Sequence, residues 1–425
     1  MTALAANPGA AHSWYDASAG PYASLPGLRG TVTADVAIIG AGYTGLSAAL
    51  ALAQAGKHVV VAEAERIGWG ASGRNGGQVG SGQRVDQVTL EHQMGADAAR
   101  ALWQIAQDAK AEVHRLMADH RIDADWRGGV AYVARRASGA EGLQAYALHL
   151  QNDYGYDDVT PLSRKAAQAL TGSDDVHGGQ LDRGAGHLHP VKFLHGLADA
   201  ARAAGVVIHE GSRVARIKGK TLVTGAGALT ADRVVIATNG YGAGLHRDVD
   251  RRVLPINSFI AVTEPLDAPP LTQGIAVADD RFVVNYWRMV DGNRLLFGGG
   301  ESYALRYPRD IAARVRRPLA ALYPALRDLR IDYAWGGTLG ITPTRNPYFA
   351  ECAPGVFTAG GYSGHGVALA TLGGRILAEA ILGERTRFDL MARLPVPPLP
   401  GGALARRTMV PLAMQFYAMR DRLGI

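Results

Sequence analysis

The run Gly40-Ala41-Gly42-Tyr43-Thr44-Gly45 carries the pattern G-x-G-x-x-G. In such a run the first glycine permits a tight turn, and the second lets the backbone approach a pyrophosphate. The third allows a helix to pack closely on a strand. The amides of the following helix then face a diphosphate with a favourable dipole. Glu63 stands at the end of the next apolar run, where a carboxylate can bind ribose hydroxyls; an acid rather than an arginine there disfavours a 2′-phosphate. This is dinucleotide chemistry, and the motif by itself does not separate a nicotinamide from a flavin. Two later strings bear on that choice. ATNGY at 237–241 follows the apolar RVVI, and AGGYSGHGVALA at 359–370 opens a second helix led by glycines.

These residues need a strand before them and a helix after. Asp35 to Ile39 reads as a buried parallel strand, Gly45 to Ala55 as the helix and Lys57 to Glu63 as the next strand, one β-α-β unit with a right-handed crossover. Residues 68–82, GWGASGRNGGQVGSG, read as a loop close to a ligand. The pattern predicts an amphipathic helix from Asp97 to Asp119, a strand over 129–136, a helix from Leu194 to Ala204 and a strand from Val206 to His209. Val214 to Ile217 and Leu222 to Thr224 form a small hairpin ahead of a further strand at 231–241. From Val253 to Tyr333 the sequence alternates, with Asp291-Gly292 as a two-residue turn, which predicts an antiparallel sheet. Residues 1–30 read as an irregular arm, and a proline-rich stretch at 395–400 leads into a final helix.

A chain of 425 residues exceeds what one core usually serves. The expectation is an α/β fold: a Rossmann-like dinucleotide-binding domain assembled from discontinuous segments, plus an α+β substrate domain with an antiparallel sheet. Residues 1–90, 160–252 and 335–425 make the first domain, and 91–159 with 253–334 make the second. The net charge of +6 comes without a run of basic residues interleaved with aromatics, so no nucleic-acid partner is expected. The single cysteine, Cys352, excludes an internal disulfide and a cysteine-based metal cluster, and suits a reducing cytoplasm. His187 and His189 lack further ligands nearby, so no metal is expected. No secretion signal is read at the N-terminus. The apolar stretch from Val36 to Gly56 is interrupted by Gly40, Gly42 and Gly45 and reads as strand, turn and helix rather than a membrane span.

IGAGYTGLSAAL, ERIGWGASGRNGGQ, ATNGY, WGGTLGITPTRNPYF and GGYSGHGVALATLGGRILAEAI occur in that order along nearly the whole chain. With them the chain resembles the D-amino-acid oxidase/glycine oxidase group of flavoproteins, and within it the γ-glutamylputrescine oxidase branch. The resemblance implies FAD, held without a covalent link, because Cys352 does not match the flavin-linking cysteine of monomeric sarcosine oxidases. It places Gly40, Gly42, Tyr43, Thr44, Gly45, Glu63 and Ala64 at the adenosine-diphosphate site. Gly70 and Ser72, Gly73, Arg74, Asn75, Gly76, Gly77 and Gln78 fall in the loop along the flavin ring. Val214 falls at the adenine, Thr238 and Asn239 near the diphosphate, and Gly336 among the cofactor-binding residues. Gly361, Tyr362, Ser363, Gly364, His365, Gly366 and Val367 form the turn and helix start at the ring's pyrimidine end. Independently of the family, amides at a helix start stabilise the negative charge of a reduced flavin.

Glycine oxidases of this group grip the substrate's α-carboxylate with an arginine. On an alignment anchored by Trp335, Thr342, Pro343 and Pro347, Leu339 stands in its place. A leucine cannot pair with a carboxylate, so the expected substrate is a small-molecule amine without one at the reacting carbon, such as γ-glutamylputrescine. Hydride transfer to flavin N5 would leave an imine that hydrolyses to an aldehyde and ammonia. Arg74 or Arg345 could supply the charge from another direction, which keeps open a secondary or α-amino-acid oxidase or dehydrogenase of sarcosine, pipecolate or glycine type. A non-catalytic FAD-binding subunit is a further alternative. The lysine that sarcosine oxidases place beside N5 is absent, with RLLFGG in its stead, so the electron acceptor is O2 or another species. His365 is a candidate flavin or substrate contact. Tyr286 and Trp287 are strand neighbours, of which only one can face the pocket. Trp69 reads equally as pocket wall or packing, and Glu301 as an amine receptor or a solvated strand end.

Overall fold

The computed structural model describes residues 13–242, 244–281, 284–302 and 307–399. Val36, Ala37, Ile38 and Ile39 are all buried, and a strand buried on both faces must lie inside a covered parallel sheet. The strand Gly30–Ile39 is that centre. It pairs in parallel with Gly227–Ile236 on one side and Val59–Ala62 on the other. Val207–His209 and Val356–Gly360 extend the sheet outward, also in parallel, and Tyr348–Ala353 closes one edge antiparallel. Successive residues serve opposite faces, as the pleat requires. Val36 and Ile38 enter a core shared with the helices Tyr43–Gln54, Ala96–Asp119, Pro190–Ala203 and Gly366–Leu382, while Ala37 and Ile39 pack with Leu28, Val214 and Leu222. The small hairpin runs Arg216–Lys218 to Thr221–Val223, with Val214 just ahead of it.

The second sheet has the order Ile331–Ile341, Leu254–Pro265, Arg294–Ser302, Tyr286–Val290, Ala276–Asp279, Arg127–Val133, Gly179–His187 and Gln78–Val79. The pairs are antiparallel except Ala276–Asp279 with Arg127–Val133. Asp291 (φ 50°) and Gly292 (φ 76°) both take the left-handed conformation that the predicted two-residue turn demands.

Sheet membership cuts the chain differently from the expected domain limits. Gly179–His187 and Gln78–Val79 belong to the second sheet, and Ile331–Ile341 runs across the 334/335 limit. The helix Ala96–Asp119 buries Leu102, Ile105, Ala109 and Val113 in the core of the dinucleotide-binding half. Its apolar stripe marks a buried face without saying what covers it. The expected irregular arm contains a short helix, Trp14–Ser18, N-capped by the Ser13 hydroxyl. The predicted final helix lies outside the described residues. Among those described, no single helix is long and apolar enough to cross a membrane.

Candidate active site

A cavity of about 630 Å³ is lined from both sheets. Two helices begin on it: Tyr43–Gln54 at Gly42, and Gly366–Leu382 at His365. Neither N-cap residue supplies a side-chain cap, although the Tyr43 amide donates to the Ser72 hydroxyl at 3.2 Å. The amides of a first turn and the aligned dipoles make both points electropositive. The two helices are locked together. A Cβ at Gly374 would lie 2.2 Å from the Thr44 carbonyl oxygen, and Thr44 Oγ1 meets the Tyr362 hydroxyl at 2.8 Å. At Gly45 a Cβ would stand 1.9 Å from the Gly40 carbonyl oxygen, so only glycine brings the helix this close to its strand. Glu63 accepts the amides of Ala41 (2.7 Å) and Glu65 (2.9 Å). Burial pushes its carboxyl up, against the pull of those amides.

Between the two sheets lies the loop 70–78. Asn75 braces it internally, donating from Nδ2 to the carbonyls of Ala71 (3.1 Å) and Ser72 (2.9 Å) and accepting the Gly77 amide (2.8 Å). Arg74 donates to the carbonyls of Trp69 and Gly336 and lies 5.6 Å from the Trp69 ring centre; burial draws its pKa down. Ser72, Arg74, Asn75, Gly76 and Gln78 line the cavity, whereas Trp69 does not and packs edge-on against Tyr241.

On the opposite side the turn 361–366 is fixed by Asn239, whose Oδ1 accepts the Gly361 amide at 2.9 Å. Ser363 accepts Arg84 Nε on its carbonyl at 3.2 Å. Tyr362, Ser363, Gly364, His365, Gly366 and Val367 all line the cavity. Burial, and then the charge of Arg84, push His365 down to about 4, so the ring is neutral at physiological pH. His365 Nε2 is buried without a hydrogen-bond partner, on the lining of the cavity. An orphaned polar atom at a cavity into which two helices open marks a site built for a ligand.

Gly40, Gly45, Glu63, Ala64, Gly70, Gly73, Gly77, Val214, Thr238, Gly336 and Gly361 are not lining residues. Of the strand neighbours, Tyr286 faces the cavity, its ring seated where a Cβ at Gly298 would be 2.1 Å away. Trp287 points the other way, fully buried and stacked on Phe297 at 5.8 Å, so its place is the core. Leu339 lies in an apolar wall with Leu254, Ile256 and Ile341, paired in register with Ile256. Arg345 also lines the cavity, in the left-handed region at φ 63°. The side chain of Glu301 lies outside the described residues. Cys352 sits on the edge strand Tyr348–Ala353, away from the lining, with its thiol pushed up to about 11 by burial.

Sequence reasoning missed Arg84, Tyr132 and Asp279. Asp279 is the one acid among the lining residues. Its side chain is nevertheless fully enclosed and accepts the backbone amide and Nδ2 of Asn285 at 2.8 and 2.6 Å. Burial pushes it up to about 6. Among the described lining residues the cations are Arg74, Arg84 and Arg345, and the one carboxylate, Asp279, is spent on Asn285. Alternation on the strand Arg127–Val133 was the available signal for Tyr132, and closeness to the 70–78 loop for Arg84.

A family model described as DAO, FAD dependent oxidoreductase, matches residues 35–380. The chain belongs to this family. The oxidoreductase is 42% identical over 417 residues to the probable oxidoreductase OrdL of Rhizobium meliloti (strain 1021), covering 97% of each chain. It is 36% identical over 421 residues to the gamma-glutamylputrescine oxidoreductase of Escherichia coli (strain K12), covering 97% of this chain and 99% of that one. In fold it is similar to glycine oxidase from Geobacillus kaustophilus, with a TM-score of 0.74 at 23% identity over 87% of this chain and 100% of that one. The cofactor of this oxidoreductase is FAD. The residues present fit it: two electropositive helix starts on one cavity suit a molecule with a diphosphate at one place and, at another, a ring that becomes negative on reduction.

Proposed function

We propose that this enzyme oxidises a primary amine whose reacting carbon bears no carboxylate, γ-glutamylputrescine or a close analogue, to an imine that water converts to an aldehyde and ammonia. The observation that carries this reading is the apolar wall of Leu254, Ile256, Leu339 and Ile341, which leaves an α-carboxylate no partner on that side. When bound, FAD would supply the acceptor for the hydride of the amine-bearing carbon, with O2 or another species as the final electron acceptor.

The chain's own residues bind and orient. The first turn of the helix from Gly42 to Gly45 would hold the diphosphate, with Thr238 and Asn239 nearby. Glu63 and Ala64 would take the ribose, and the backbone at Val214 the adenine. Ser72 to Gln78 would lie along the ring, and Gly361 to Val367 would hold its pyrimidine end without a covalent bond. The amine reacts as the free base, since loss of hydride from its carbon needs the nitrogen lone pair, and Arg74, Arg84 and Arg345 on the lining disfavour the ammonium form. Neutral His365 and Tyr286 shape the space over the reacting carbon.

A second reading, oxidation of a secondary or α-amino acid, is favoured by Arg345, which lines the same cavity. Arg74 is a weaker candidate because its guanidinium is engaged by the Trp69 and Gly336 carbonyls. Initial rates of anaerobic flavin reduction by γ-glutamylputrescine, putrescine, glycine, sarcosine and pipecolate, and of their consumption in turnover, decide between them. The proposal expects the γ-glutamyl amine to lead in kcat/KM; faster turnover of glycine, sarcosine or pipecolate overturns it.

A further inference from the structure

Behind the Asn75–Gly77 stretch lies a buried cluster that neither the cofactor motif nor the substrate wall uses. Arg288, on the strand Tyr286–Val290, is 5% exposed. It donates from Nε to the Gly76 carbonyl (2.9 Å) and from Nη1 to His187 Nδ1 (3.3 Å). Its Nη2 donates to the Leu188 carbonyl (3.1 Å) and the Tyr15 hydroxyl (3.3 Å). Tyr15, fully buried on the helix Trp14–Ser18, in turn donates its hydroxyl to the Asn75 carbonyl at 2.8 Å. His187 accepts on Nδ1 and so keeps its proton on Nε2, which donates to the Gly274 carbonyl at 3.0 Å. Burial and the adjacent guanidinium hold that ring neutral, at about 3.

Every one of these partners is neutral, so among the described residues nothing offsets the charge of Arg288 through a hydrogen bond. A buried cation without a counter-ion is strongly disfavoured as a structural device, since a neutral amide could bond the same carbonyls. The arrangement makes sense where an anion arrives. Gly76 lines the cavity, which puts the guanidinium one peptide behind its wall.

We propose that Arg288 is a fixed positive charge that stabilises the reduced, anionic flavin and so raises the cofactor's oxidising power. This rests on the reading that the cavity holds the flavin ring beside the 70–78 loop. Tyr15, contributed by the N-terminal arm, and neutral His187 hold the guanidinium without cancelling its charge.

The test is a sulfite titration of the FAD-loaded protein. Sulfite adds its lone pair to flavin N5 and moves negative charge onto the pyrimidine side of the ring, with no other reactant. Loss of the charge in Arg288→Met is expected to weaken sulfite binding about tenfold, equivalent to about 30 mV in a two-electron potential. Arg288→Lys keeps the charge and changes the geometry; its sulfite affinity should stay within about threefold of the parent. Tyr15→Phe should also stay within that range while its Tm falls. Parent-like affinity in a flavin-loaded Arg288→Met protein overturns the proposal, as does an equal tenfold loss in Arg288→Lys. Should Arg288→Met take up no flavin, Arg288→Gln, neutral but able to donate to the same carbonyls, is held to the same criterion: a loss of about tenfold supports the proposal and parent-like affinity overturns it. A parent protein that binds no FAD instead overturns the cofactor reading on which this inference stands.

Discussion

Replacing Leu339 by arginine converts the apolar wall into the cationic one that an α-carboxylate would need. Leu339 stands on the strand Ile331–Ile341, in register with Ile256, with Leu254 and Ile341 also on the lining. Full burial of a leucine stabilises by about 1.5–3 kcal/mol. If roughly half of that surface meets the aliphatic chain of the substrate, the variant loses about 1–1.5 kcal/mol, or roughly tenfold in kcat/KM. For glycine or sarcosine the new guanidinium adds a charge-assisted hydrogen bond worth about 1.5–3 kcal/mol, roughly 10- to 100-fold. The two effects multiply in the ratio of specificities, giving a swing of about 10²- to 10³-fold. The assay is kcat/KM on γ-glutamylputrescine and on sarcosine for parent and Leu339→Arg proteins of equal flavin content. A swing below about fivefold would refute the placement of Leu339 opposite the reacting carbon.

Gly45→Ala should lose most of its bound flavin and unfold at a lower temperature by about 1–3 kcal/mol of overpacking, because the new Cβ falls 1.9 Å from the Gly40 oxygen; parent-like flavin content and Tm would contradict the strand-to-helix packing. Asp279→Asn should lower Tm, because its NH2 would face an Asn285 donor and forfeit a buried hydrogen bond worth about 1–3 kcal/mol, yet leave KM for the amine within about threefold. A far larger rise in KM would make Asp279 the amine's receptor. His365, His187 and His189 are held at about 4, 3 and 3, whereas all three titrate near 6.5 in an unfolded chain (about 6.5). The unfolded state thus binds more protons below that value, and stability is lost as pH falls through the window toward 4. His365→Gln should lessen this slope by about one proton, read from denaturant midpoints between pH 7 and 4.5 (approximately); an unchanged slope would mean that His365 is not held neutral.

The glycine motif and its flanking strands were legible because a doubly buried strand has a distinctive apolar run and because Gly45 admits no substitute for steric reasons. The two-residue turn at Asp291-Gly292 was legible for a similar reason, since both positions take positive φ. The strand Gly179–His187 was not. Its sequence, GQLDRGAGH, has neither alternation nor β-branched residues, and the neighbouring strands and loops enforce its pairing. The partner of the Ala96–Asp119 helix was equally hidden, as periodicity gives a face and no address. Tyr286 and Trp287 were correctly a pair with opposed directions, but which one met the cavity depended on the small residues opposite, Gly76 and Gly298. Arg288 reads in the sequence as an ordinary strand cation; its unpaired burial emerges only when Tyr15, His187 and Gly76 converge from remote parts of the chain.

The central claim is that this cavity delivers the carbon of a free amine, lacking a carboxylate, to a flavin. Anaerobic mixing of the FAD-loaded enzyme with single substrates, followed by the flavin's visible absorbance, tests it without reference to the electron acceptor. Rapid bleaching by γ-glutamylputrescine, with glycine and sarcosine leaving the yellow colour intact, is the predicted result. Bleaching by the amino acids while the γ-glutamyl amine leaves the spectrum untouched would contradict it.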